Sequence, residues 1–195
     1  MRDVEATVLE GHGVRLEPLG QQHAAGLAEA VRDGELWCDP LTSVPSPDGA
    51  ADYIAASAGR VAFAVVDATA GRVVGSTSYY DIDVALGRLL VGWTFYAKSA
   101  QRTHVNTASK LLLLGHAFDD LGAATVAWRT DSLNMRSRRA IERLGATLDG
   151  VIRGDQARAE AQYRQPAGCT AAYRRSHRAR QPDLPLRLRH HAQDR

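Results

Sequence analysis

The chain has 195 residues, of which 45% are apolar and 24% charged, and its formal net charge is +2. This length and balance fit one folded domain with a sizeable core and exclude a wholly disordered chain, which is poorer in apolar residues and richer in one charge sign. They also exclude a membrane-spanning helix, because the longest apolar run, around Leu111–Leu114, stops at Gly115.

Residues 1–12 are polar and expected to be loose, and Asp3, Glu5 and Glu10 stand where a secretory leader needs an apolar core. Val14–Leu19 alternates apolar with polar side chains and contains Pro18, which predicts a short edge strand. His23–Val31 is alanine-rich and predicts a helix, ended by Gly34. Glu35–Pro47 reads as a loop or short helix, and Trp37 and Leu41 suggest that it folds over something. Ser46-Pro47-Asp48 opens a helix: Ser46 accepts from free amides, Pro47 suits the first position, and Asp48 suits the positive dipole end. Ala50, Tyr53, Ile54 and Ser57 then share one face up to Gly59.

Three strands follow. Val61–Val66 and Arg72–Tyr80 flank the turn residues Asp67–Gly71 and predict a hairpin. Asp81–Gly87 connects it to a long strand, Leu89–Tyr96, whose internal Gly92 predicts a bulge. Lys98–Val105 has neither period. Leu111, Leu114, Phe118 and Leu121, widened by Leu112, Leu113 and Ala117, predict a helix buried on most of its surface and stopped by Gly122. Thr125–Thr130 predicts a strand, Ala140, Ile141 and Leu144 a helix capped by Gly145, and Thr147–Ile152 a short strand. A helix crossing from Phe95 to Thr125 makes those two strands parallel. The expected class is therefore α+β, a single mixed, mostly antiparallel sheet flanked by helices.

From Arg153 the pattern stops. Residues 1–152 carry 14 basic and 18 acidic side chains, whereas 153–195 carry 10 and 4. The expected division is a folded domain over 12–153 and a basic, disordered tail over 154–195. Pro166, Pro182 and Pro185 suit no central strand, and Leu184, Leu186 and Leu188 alternate over too few residues. Two origins stay open for the tail: a natural extension, or a shifted reading frame in a GC-rich gene. Only Lys98 and Lys110 among 24 basic residues are lysines, which fits such a gene. Cys38 and Cys169 form no metal spacing and no disulfide framework, so two thiols in a cytoplasmic chain and no metal site are expected.

The stretch Trp93–Lys110 is the most informative. A strand ends, an irregular loop follows, and a helix opens near Asn106-Thr107. A helix start presents unpaired amides and a positive dipole end, which suit a phosphate. Lys98, Arg102 and His104 add donors nearby; the alternative is a solvated loop before an ordinary helix.

Several of these residues form family motifs. Gly75-Ser76-Thr77, Gly92-Trp93-Thr94, Gln101–Thr107 and above all Asn134-Met135-Arg136-Ser137-Arg138-Arg139-Ala140-Ile141-Glu142-Arg143-Leu144-Gly145-Ala146 resemble the GNAT superfamily of N-acetyltransferases, in its ribosomal-protein-alanine acetyltransferase-like branch. The resemblance covers about residues 12–152. It implies the acyl-CoA N-acyltransferase fold and acetyl-CoA as cosubstrate. It puts the pyrophosphate on the amides of Arg102, Thr103, His104, Val105, Asn106 and Thr107, with Gln101 opening the loop. The pantetheine arm would lie between the strand of Trp93 and Thr94 and the strand of Thr125. Asn134 and Ser137 would sit near the thioester as the catalytic pair.

Three features depart from the family pattern. Thr103 and Val105 stand where glycines are usual, Leu90 where related sequences often carry Glu, and the tail does not read as the family's last strand, which is expected to be missing.

The implied reaction is direct attack of a primary amine, a protein N-terminus or a small amine, on the thioester. Ser137 is the candidate donor to the sulfur. Asp81, Asp83 and His104 are base candidates, with turn roles for both aspartates and a phosphate-loop contact for His104 as the alternatives. Arg136, Arg138 and Arg139 read as a nucleotide contact or a solvated face. A homodimer is compatible; membrane and nucleic-acid partners are not expected. The second reading is a coenzyme A-binding or phosphate-binding protein with impaired catalysis, using the basic tail. Its tail has no aromatic interleaving beyond Tyr163 and Tyr173.

Overall fold

The computed structural model describes residues 1–39, 41–152 and the backbone of 186–191. Its first strand lies in the stretch expected to be loose. β1 (Leu9–Gly11) pairs antiparallel with β2 (Val14–Pro18) across His12 and Gly13, both at positive φ (53° and 76°). Two left-handed residues make the tight turn whose twist suits a hairpin. Three residues are too few to show a period, which is why β1 escapes a sequence reading. In β2, Val14 and Leu16 point into the core as the alternation requires.

α1 (Ala24–Arg32) and α2 (Ala50–Ala55) follow, and Ser46 Oγ accepts from Gly49 N just ahead of α2, as its sequence predicts. β3 (Val61–Asp67), β4 (Arg72–Asp83) and β5 (Arg88–Tyr96) form the antiparallel centre. β4 runs three residues beyond its predicted end. α3 (Val105–Gly115) passes into a π-helical turn at His116–Asp120. Its buried side chains are Val105, Ala108, Ser109, Lys110 and Leu113, while Leu111 is 50% exposed, so the inward stripe is offset from the predicted one.

β6 (Thr125–Thr130), α4 (Met135–Glu142) and β7 (Thr147–Val151) complete the body. α4 begins five residues before the predicted stripe. Its basic first turns show no apolar period, and the start is set instead by Asn134, whose Oδ1 accepts from Ser137 N at 3.0 Å.

The strand order is β1-β2-β3-β4-β5-β6-β8-β7, where β8 is Leu186–His191. All neighbours are antiparallel except β5 and β6, which are parallel as expected. The α+β class with a mixed, mostly antiparallel sheet stands. The strand expected to be missing is present as β8, paired antiparallel with β6 on one side and β7 on the other. A strand with neighbours on both sides satisfies its backbone through them, so six residues suffice without long alternation. The rest of the predicted tail, 153–185 and 192–195, lies outside the described residues.

Two apolar layers cover the sheet. α3 packs on one face, where Val14, Leu16, Phe63, Val65, Tyr79, Leu89, Val91, Val126 and Trp128 form the larger cluster. α1 and α2 bring Leu27, Val31, Ala50 and Ile54 to Phe95 on the other. Cys38 is buried, and Cys169 lies outside the described residues. No helix among the described residues is long and apolar enough to cross a membrane.

Candidate functional site

The site is built where β5 and β6 part. Their pairing covers only Arg88–Leu90 against Thr125–Ala127, although β5 continues to Tyr96 and β6 to Thr130. Beyond that point the facing backbone groups of both strands have no ladder partner across the gap. The expected parting of these strands is therefore present.

A bulge sits just past the parting. Ser78 pairs with Gly92 and Ser76 with Phe95, so Trp93 and Thr94 together oppose Thr77. Trp93 takes a left-handed φ of 51°. The extra residue reverses which face successive side chains use: Leu89 and Val91 join the α3-side cluster, and so does Tyr96, while Phe95 turns to α1 and α2. Gly92 is needed beside the bulge, because a Cβ there would lie 2.6 Å from the Tyr80 ring. Trp93 is 42% exposed, and the Arg60 guanidinium lies over its ring at 4.2 Å and over that of Tyr53 at 4.9 Å.

The loop after β5 ends in free donors. Gln101 Nε2 donates to Tyr96 O, and Thr103 Oγ1 donates to Ala100 O, which tie the loop to the strand end. Val105 N donates to Thr103 Oγ1 at 3.3 Å. Among the described residues nothing accepts from the amides of Arg102, Thr103, His104, Asn106 or Thr107. Arg102 adopts φ 63°, the left-handed conformation that glycine takes at no steric cost. Thr103 and Val105 therefore stand where glycines are usual while the loop keeps its donors. The His104 ring packs on the β1–β2 turn, with Nε2 3.1 Å from where a Cβ of Gly13 would lie.

At the end of β6, Asn134 is buried and its Oδ1 is committed to the α4 cap, which leaves its amide NH2 for other partners. Ser137 is part-exposed on the first turn of α4. Arg136 donates to Asp39 Oδ2 at 2.8 Å, binding α4 to the loop after α1, and Arg138 donates to Ser132 O. Two of the three arginines thus tie α4 to its surroundings. Trp128 Nε1 and Ser132 Oγ are buried without partners among the described residues, on the stretch of β6 past its pairing with β5 and in the connection beyond it.

Asp81 and Asp83 lie at the end of β4 rather than in a turn. Asp81 bridges Arg129 at 2.8 Å and Arg88 at 3.8 Å, and Asp83 Oδ1 accepts from Leu86 N. Leu90 is fully buried, so no carboxylate stands there.

One residue that the sequence reading did not single out is prominent. Lys110, on α3, is 4% exposed, and its Nζ donates to Thr77 Oγ1 and Thr94 Oγ1, both at 2.9 Å. Burial pushes its ammonium down to about 7. The signal was available: Lys110 precedes Leu113 by three positions, which places it on the same inward face.

The family model of the acetyltransferase (GNAT) domain matches residues 14–147. No curated protein sequence matches. Among solved structures, a GCN5-related N-acetyltransferase from Brucella melitensis superimposes with a TM-score of 0.77 at 22% identity, over 96% of this chain and 80% of that one. A protein from T. thermophilus assigned to the acetyltransferases is 30% identical, with a TM-score of 0.68 over 80% of this chain and 83% of that one. RimL, a ribosomal L7/L12 alpha-N-protein acetyltransferase, shares the fold at 12% identity and a TM-score of 0.73, over 95% and 94% of the two chains.

Proposed function

Because the chain belongs to the acetyltransferase (GNAT) family, we propose that it transfers an acetyl group from acetyl-CoA to a primary amine by direct attack within a ternary complex. The observation that carries this reading is a coincidence in space: β5 and β6 part at Leu90, and β5 then leads into a loop and helix start whose amides lack acceptors. A parted strand pair suits an amide-rich arm that completes the ladder, and the amides suit its pyrophosphate.

Acetyl-CoA supplies a thioester open to an amine. The chain's own groups do the rest. The amides of Arg102, Thr103, His104, Asn106 and Thr107 hold the phosphates. The backbone of β5 at Trp93 and Thr94 and that of β6 orient the arm. The Asn134 NH2 donates toward the arm, and Ser137 Oγ relays to the departing sulfur, whose ordinary thiol pKa is about 8.5, the proton that the attacking nitrogen sheds as the C–S bond breaks, so that the hydroxyl is restored. With Asp81 and Asp83 committed elsewhere, the amine enters already neutral or loses its proton to solvent. The acceptor is a protein N-terminus or a small amine. RimL, which shares the fold, supports the first choice. We place the reaction in the cytoplasm.

Calorimetry on the folded protein tests the reading. Heat with both acetyl-CoA and CoA, and acetylation of an N-terminal peptide or a small amine, is the expected outcome; no heat with either ligand overturns it. Leu90 standing where a carboxylate is usual favours a second reading, coenzyme A binding without transfer, which heat without acetylated product would establish.

A further inference from the structure

We infer that Lys110 is a positioning residue for acetyl transfer: from α3 it pins the β5 bulge at Trp93 through Thr77 and Thr94. The inference rests on the reading above, since it concerns where the arm's reacting end meets β5.

The geometry is a closed chain of donors. Thr94 Oγ1 donates to Gly92 O at 3.2 Å, across the bulged residue. With its single proton used there, the 2.8 Å contact between Thr77 and Thr94 must take its proton from Thr77. Both hydroxyl oxygens then accept from Lys110 Nζ. Thr77 is the residue that opposes the bulge on β4, and Thr94 belongs to the bulge on β5. One amine therefore grips both sides of the irregularity, and one hydroxyl closes it from Thr94 to Gly92.

This placement is costly unless it does something. A lysine on the inward stripe of α3 gives up water, and no carboxylate among the described residues pairs with it. Two Thr acceptors match two N–H groups, the number a neutral amine offers, in keeping with its lowered pKa. An apolar residue would fill the same volume without that penalty. What it would not do is hold Trp93 at φ 51°, a conformation that costs a bulky residue energy and persists only when its surroundings enforce it. The bulge lies immediately beyond the last β5–β6 pair, Leu90 with Ala127, where an arm between the strands passes.

The test uses the full chain. Lys110→Met keeps the volume and removes the donors. The expected result is exchange of the amides of Gly92–Thr94 about tenfold faster, with no fall in melting temperature. Turnover should drop by on the order of tenfold to a hundredfold, with CoA affinity held within about twofold of wild type. Thr94→Val should reproduce both effects, and Thr94→Ser, which keeps the hydroxyl, should recover most of the loss. The Lys110→Met/Thr94→Val double variant should be no worse than the poorer single, as for groups acting as one unit. If Lys110→Met does not fold, the Thr94 pair decides alone. Unchanged exchange at the bulge together with unchanged kcat overturns the inference, as does a loss confined to CoA affinity. If the wild type transfers nothing, the proposed function fails, and exchange at the bulge still decides whether Lys110 pins it.

Discussion

Lys110 has a consequence for stability as well as for geometry. Its folded pKa of about 7 lies below its ordinary 10.5, so between these values the unfolded chain holds a proton that the folded chain does not. Unfolding free energy then rises with pH across that window, by up to about 1.4 kcal/mol per unit. As pH falls from 10.5 to 7 that contribution is lost, and below 7 both states are protonated. Urea unfolding at about pH 7, 8 and 9 should show this rise in wild type and a flatter profile in Lys110→Met; parallel profiles would contradict the assignment. Glu17 acts in another window. His23 Nε2 donates to it at 2.9 Å and Arg15 at 2.7 Å, which holds its carboxyl below the usual 4.5. Its contribution is present above 4.5 and fades as pH drops through the lower folded value, so the two groups are separable in one titration.

Among the elements, α4 shows how one side chain serves two ends. It is eight residues long and basic, and Ile141 is its one fully buried side chain, so packing alone gives it little support. The Asn134 cap is its clearest start signal. Asn134→Ala should cost about 1 kcal/mol. Asn134→Asp keeps an acceptor for Ser137 N and adds favourable charge at the helix start, so stability should be held while turnover falls if the NH2 donates to the arm. Ser137→Ala leaves the cap intact, because the cap uses the Ser137 amide. It should lower turnover more than CoA affinity when chemistry is limiting. Melting curves beside single-turnover rates check all three, and an Asn134→Asp variant with full activity would reduce Asn134 to a cap. The bulge in β5 is the other instructive element. Gly92 marked it in the sequence, yet the face reversal that turns Thr94 toward α3 and Phe95 toward α1 and α2 was not readable there, because it depends on which strand supplies the extra residue.

The whole sheet depends on a segment far along the chain. Among the described residues β7 has β8 as its sole neighbour in the sheet, and β8 also covers the outer side of β6. Leu188 is opposite Trp128 in β6 and Leu148 in β7, so its N–H points to one of them. Leu188→Pro removes that donor. Hydrogen exchange should then accelerate across Thr147–Val151 and Thr125–Thr130 and stay slow in β3, which is flanked by β2 and β4; unchanged protection would contradict the insertion of β8. The sequence by itself determined the α+β class, the β3–β4 hairpin, the parallel crossover from β5 to β6 and the family, because each is encoded in local periodicity, turn residues or a contiguous motif. Tertiary structure alone decided the insertion of β8 between β6 and β7, the commitment of Asp81 to Arg129 and the meeting of Lys110 with Thr77 and Thr94. Each of these joins residues far apart in the chain, and distant pairing leaves no period in the sequence on either side.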